Sequence, residues 1–175
     1  MANDGKLMDM LTGYAAAHQH PFNIAVHLVC IPIIMLGVFI PLSRVGTDVG
    51  GVAVNLAHVV AIGLFLFYLT LDGLFSLAYL VYAIPVAVLA TRIGALPAAD
   101  AWTIAAITFF GGYALQFAGH AVEKSPPVVL KHPVQANIAA PFFTVVEIFS
   151  LCGLRADLFR EVQSRIGEMR KQQTV

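Results

Sequence analysis

The chain has 175 residues, of which 59% are hydrophobic and only 11% charged, with no net charge and a mean hydropathy of +0.82. So few charges cannot cover a water-soluble surface of this size, so much of the surface must face lipid. No basic patch is interleaved with aromatics, which excludes nucleic-acid binding.

Residues 3–18 carry Leu7, Met8, Met10, Leu11 and Tyr14 at helical spacing, with Asp4, Lys6 and Asp9 opposite. This predicts an amphipathic helix on the membrane surface over residues 1–20 and argues against a signal peptide. Pro21 ends it, because the residue before a proline is pushed out of helical geometry and proline suits the first turn of a new helix.

Five apolar stretches follow, at 22–43, 49–71, 73–93, 101–121 and 136–154, each near the roughly 20 residues that cross a bilayer. The break at Asp72-Gly73 is very short, so either the second and third stretches form a tight hairpin or one of them inserts only in part. Residues 155–175 are charged and amphipathic and read as a cytosolic or interfacial helix. The expected fold is all-α: a polytopic membrane helix bundle of four to five spans, residues 22–154, inside one integral-membrane domain, 1–175. With five crossings Lys6, Lys124 and Lys131 would lie opposite the basic tail; with four, both termini share the cytosol. The two cysteines, Cys30 and Cys152, sit in apolar runs and imply neither a disulfide framework nor a CxxC site.

Two polar clusters interrupt this apolar background. In the first, His18, His20 and His27 fall within ten residues, beside Tyr14 and Asn23. An unbroken helix would send His18 and His27 to opposite faces, but the break at Pro21 lets the two rings converge. Asn23 and His27, four apart, share a face of the new helix. In the second, Gln116, His120 and Glu123 place an amide, an imidazole and a carboxylate on one helical face. Glu147 lies within the last apolar stretch, where an ionisable group faces a site or a partner, and could orient a histidine ligand. His58 is a ligand or a helix–helix hydrogen bonder; His132 is a further ligand or a solvated loop residue.

Imidazole-rich sets suit zinc, iron, copper or nickel, and histidines with an optional carboxylate leave room for iron(II) oxygen chemistry. The chain has no HExxH, HxxHH or CxxCH motif, no GxSxG elbow and no phosphate-binding loop. A haem protein using His27 and His120 axially, another metal-binding protein without oxygenase activity, and a small transporter or scaffold remain as alternatives.

The pattern Tyr14-x3-His18-x4-Asn23-x3-His27-x4-Pro32, followed by Gln116-x2-Gly119-His120-x2-Glu123-x2-Pro126, then Pro141 and Glu147, resembles the 2-hydroxy fatty acid dioxygenase family over about residues 8–154. The resemblance implies a multi-pass integral membrane enzyme of fatty-acid α-oxidation, in the inner membrane of a bacterium or the endoplasmic reticulum of a eukaryote. It implies iron(II) as cofactor, with zinc able to load in its place, and a long-chain 2-hydroxy fatty acid and O2 as reactants. His18, His27 and His120 are the implied metal ligands and, with Glu123, the implied catalytic set. Glu123, His132 and His20 rank lower as ligands, and Tyr14, Asn23, Gln116 and Glu147 support them.

Overall fold

The computed structural model describes residues 4–16 and 18–173, so the outermost ends of the expected N-terminal helix and tail, and Ala17, lie outside the described residues. Seven α-helices and one small hairpin follow in order: α1 (Asp4–Ala16), α2 (Pro21–Ser43), β1 (Gly46–Val49), β2 (Val52–Asn55), α3 (Leu56–Leu69), α4 (Gly73–Gly94), α5 (Ala98–Glu123), α6 (Pro133–Leu151) and α7 (Ala156–Gln173). A 3-10 turn, Val128–Leu130, precedes α6. Four of the helices, α2, α4, α5 and α6, are long and apolar enough to cross a membrane. The protein is an all-α membrane helix bundle.

The stretch expected as a span over 49–71 departs from that reading. Gly50 and Gly51, at φ 62° and 83°, make a two-residue turn between Val49 and Val52, and the strands pair antiparallel from Gly46↔Asn55 inward. Both turn positions need positive φ, which glycine supplies without strain. The hairpin consumes the first third of the apolar stretch, leaving α3 with 14 residues, about 21 Å at the helical rise. Asn55 caps α3, its Oδ1 accepting from His58 N at 3.2 Å, while His58 Nδ1 accepts from Asn55 N at 3.4 Å. His58 is therefore a helix cap, tied through Asn55 Nδ2 to Thr91 Oγ1 of α4 at 3.0 Å.

The path of the chain follows from end-to-end contacts. Leu56 N donates to Val45 O just beyond the end of α2, so α3 starts there and returns the chain to Asp72. Asp72 caps α4 by accepting from Phe75 N at 3.0 Å, and pairs with Arg155 at the α6–α7 junction. α4 then runs alongside α2 in the same direction, since Arg44 Nη1 donates to Gly94 O and Ser43 Oγ donates to Ala90 O. α5 comes back antiparallel to α2 along a seam of glycines. A Cβ at Gly37 would lie 2.7 Å from Phe109 N, one at Gly112 2.5 Å from Ile34 Cγ1, and one at Gly119 2.5 Å from Asn23 Oδ1. Small residues let two membrane helices approach backbone to backbone, and these three set the register.

Beyond Glu123 the chain doubles back. Tyr113 Oη donates to Asn137 Oδ1, so α6 begins beside the middle of α5, and it rises past Tyr14, which stacks on Phe143 at 3.7 Å. Tyr68 and Tyr82 hydroxyls donate to the Ile138 and Pro141 carbonyls of α6, at 2.6 and 2.7 Å. Leu7, Met8 and Leu11 of α1 and Val162 and Ile166 of α7 are buried in one cluster, and Arg165 reaches Asp9 at 3.8 Å. α1 and α7 thus share one end of the bundle, which requires an even number of crossings and rules out five.

Two outcomes follow. Gly37→Ala drives a methyl into the backbone of α5 and lowers stability by about 1–3 kcal/mol, read as a lower Tm in detergent, whereas Gly63→Ala and Gly111→Ala, which meet nothing within 4 Å, leave it unchanged. In a Cys152→Ser background, cysteines at Asp9 and Arg160 react with an impermeant maleimide from one membrane side, and a cysteine at Val49 from the other.

Candidate metal centre

Three elements converge at the end of the bundle shared by α1 and α7. His18 leaves α1, its N–H bonded to Ala15 O at 3.2 Å, and its ring Nδ1–H donates to Tyr14 O at 3.0 Å. His27, on the second turn of α2, donates Nδ1–H to Asn23 O at 2.9 Å. His120, on the last turn of α5, bonds Ser125 Oγ through Nδ1 at 3.1 Å. Nδ1 of His18 and of His27 donates to a carbonyl, which leaves Nε2 as the free lone pair on each, and His120 matches them when its Nδ1 donates to Ser125 Oγ.

The ring centroids form a triangle of 4.4 Å (His18–His27), 5.0 Å (His18–His120) and 5.0 Å (His27–His120). One nitrogen from each ring lies within 4.8 Å of the other two, and all three residues are buried. His18 Nε2 is sealed from solvent with no hydrogen-bond partner among the described residues. A buried, unpaired imidazole nitrogen facing two others is costly unless something fills the space between them. Burial, then the neighbouring His27 ring, lowers the His18 pKa to about 3, so this imidazole is neutral at pH 7 and offers its lone pair with no proton to displace. Three neutral nitrogen donors fit a transition metal and suit zinc, iron, copper or nickel.

The other residues singled out by the sequence take supporting places. Glu123 is bound on both carboxylate oxygens: Oε1 accepts from Gln19 N at 2.6 Å and His20 N at 3.2 Å, and Oε2 accepts from Asn23 Nδ2 at 2.5 Å. It therefore caps the entry to α2 and pins it to the end of α5; it is not one of the converging donors. Tyr14 stacks on His18 at 3.9 Å and 13°, and on Phe143 at 3.7 Å and 7°, making a three-ring pile that holds the His18 plane. Glu147 shares with Tyr14, His18 and His27 a cavity of about 10 Å³, room for roughly one water. Gln116 is buried one turn before His120.

His20 and His132 stand apart from the triangle. His20 is exposed and caps α2, its Nδ1 accepting from Phe22 N at 3.2 Å. His132 is exposed at the start of α6. Three contributors had no usable signal in the sequence. The Gln19 amide acts through backbone, Phe143 through a contact between distant helices, and Ser125 through a turn made when Lys124 adopts φ 58°.

The triangle closes one end of a second cavity, of about 240 Å³. From His18, His27, Gln116 and His120 it runs down the bundle between apolar walls that include Ile31, Ile34, Met35 and Phe39 of α2 and Val60 and Leu64 of α3. His27 to Phe39 along α2 covers about 18 Å at the helical rise. The arrangement is a set of nitrogens able to hold a metal at the head of a long apolar chamber.

A family model described as 2-hydroxy-palmitic acid dioxygenase Mpo1-like matches residues 5–151. No curated protein and no solved structure matches the chain. The match takes in both polar clusters and every helix from α1 to α6, and the chain belongs to the Mpo1-like family.

Proposed function

We propose that this protein is an iron(II)-dependent dioxygenase that cleaves long-chain 2-hydroxy fatty acids to the fatty acid one carbon shorter and CO2. The observation that carries the reading is three buried imidazoles, with one nitrogen of each within 4.8 Å of the other two, at the head of the apolar cavity. The family description supports it, since it names a dioxygenase of a 2-hydroxy acid. The reaction balances without an added reductant: the 2-hydroxy acid and O2 give the shortened acid, CO2 and one water. The substrate supplies all four electrons and both protons of that water.

His18, His27 and His120 would hold the metal. Bound there, iron(II) would supply open positions for substrate and O2 and the redox chemistry that zinc lacks. The remaining roles belong to the chain itself. Glu123, clamping Gln19, His20 and Asn23, keeps the entry to α2 against α5 and so sets the spacing of the three rings. Tyr14 and Phe143 fix the His18 plane. The apolar walls take the acyl chain and exclude water from the head. Glu147, at the water-sized cavity behind His18, is placed to exchange a proton with a water held there.

A haem reading fits this geometry poorly. Axial ligation by His27 and His120 needs a porphyrin between rings whose centroids are 5.0 Å apart, and His18 stands 4.4 Å from the first of them. As for orientation, Lys6, Lys124, Arg155, Arg160 and Arg165 gather at the end that carries the histidines, against Arg44 and Arg92 at the other. The positive-inside rule then turns the site to the cytoplasm, where a metabolic acyl substrate is found.

Two measurements test the proposal. Anaerobic loading with iron(II), then O2 and 2-hydroxyhexadecanoate in nanodiscs, yields pentadecanoate and CO2 in equal amounts, and the zinc-loaded protein yields neither; a folded, iron-loaded protein that gives no shortened acid overturns the reading. In metal titrations, His18→Ala, His27→Ala and His120→Ala each abolish stoichiometric binding. Glu123→Ala keeps the stoichiometry and weakens affinity by about 10–100-fold, as expected when an outer partner of the ligands is removed.

A further inference from the structure

Gln116 holds the one amide of this cavity with nothing to bind. Its side chain lines the chamber and the residue is only 8% exposed, yet among the described residues its amide has no hydrogen-bond partner. The other amide on the cavity wall is satisfied: Asn137 accepts from Tyr113 Oη and donates to the Pro133 carbonyl at 2.8 Å. The Tyr14 hydroxyl is also unpartnered, but it is sealed off from any solvent-sized space. The Gln116 amide faces space that water can enter, so a ligand that displaces that water must supply its hydrogen bonds in return. Gln116 stands four residues before His120 on α5, so its backbone lies about 6 Å along the helix axis toward the apolar end. That level is where the head of an acyl substrate gives way to its chain.

We propose that Gln116 recognises the substrate head, its Oε1 accepting from the 2-hydroxyl and its Nε2 donating to the carboxylate. This rests on the reading that the cavity receives a 2-hydroxy fatty acid. Glutamine is suited to the task because one side chain carries both a donor and an acceptor. An unsubstituted fatty acid keeps the carboxylate contact but leaves Oε1 buried and unpaired, and a site built around a substrate hydroxyl discriminates strongly against the analogue that lacks it. Gln116 is on this account a positioning and specificity residue, distinct from the metal-holding histidines.

The test measures binding of 2-hydroxyhexadecanoate and hexadecanoate to the zinc-loaded protein in nanodiscs, where no turnover intervenes, alongside product formation by the iron-loaded protein. The wild type favours the 2-hydroxy acid. Gln116→Leu, similar in size and unable to hydrogen-bond, shrinks that preference by about tenfold, with metal stoichiometry and Tm unchanged. Gln116→Glu keeps the acceptor and repels the carboxylate, so it weakens both acids and preserves the preference. A wild type that binds the two acids equally, or a folded Gln116→Leu protein with the wild-type preference, overturns the inference. An iron-loaded wild type that binds selectively but forms no product instead overturns the dioxygenase reading and leaves this one standing.

Discussion

The geometry of the site depends on how α5 is held against the start of α2. Along most of their length the two helices meet through glycines, which fix how close they come and in which register. At the histidine end a single carboxylate completes the contact, with Glu123 collecting the backbone N–H groups of Gln19 and His20 and the side-chain amide of Asn23. The Gln19 and His20 N–H groups precede the first turn of α2, and a carboxylate satisfies them while lying near the positive end of the helix dipole. Hydrogen bonds to a charged group contribute about 1.5–3 kcal/mol each, enough to order a loop that proline has already made irregular. With the loop in place, His18, His27 and His120 have little freedom left except rotation of their rings.

The rest of the bundle protects that arrangement from lipid and water. The chain doubles back after Glu123, bringing α6 up against Tyr14 and placing Phe143 behind it, so His18 is oriented by a stack whose members are far apart in the chain. The Asp72–Arg155 pair ties the α3–α4 turn to the α6–α7 junction, and Arg155 also lies over the Phe75 ring at 4.8 Å. α3, shortened by the hairpin, reaches the cavity with Val60 and Leu64 and forms part of its wall. Away from the head, the Tyr68, Ser76 and Tyr82 hydroxyls each donate to a carbonyl of a neighbouring helix, which is what an apolar interior requires, while the Thr12 and Tyr79 hydroxyls are buried without a partner among the described residues.

Much of this was legible in the residues, and the misses have physical causes. The apolar runs and sparse charges point to a membrane bundle because no other solvent tolerates such a surface. The stretch 49–71 misleads because hydropathy does not register geometry: Val49-Gly50-Gly51-Val52 is as apolar as a helix, yet two adjacent glycines favour a turn. His58 looks costly in a spanning helix and is inexpensive at a helix start, where it caps. Glu123 shares a helical face with His120, but a shared face does not say whether a carboxylate will meet a metal or a row of backbone amides.

By itself the sequence determined the solvent, the helical class, the break at Pro21 and the residue types able to hold a metal, because these follow from composition, local backbone preference and spacing within a single helix. That His18, His27 and His120 would meet was implied by the family resemblance alone, and what Glu123 would bind, and that Gln116 would be left facing a cavity, were decided only by the tertiary structure. Those outcomes depend on the register between α2 and α5 and on the return of the chain into α6, through contacts such as His27–His120 and Tyr14–Phe143 that no local pattern encodes.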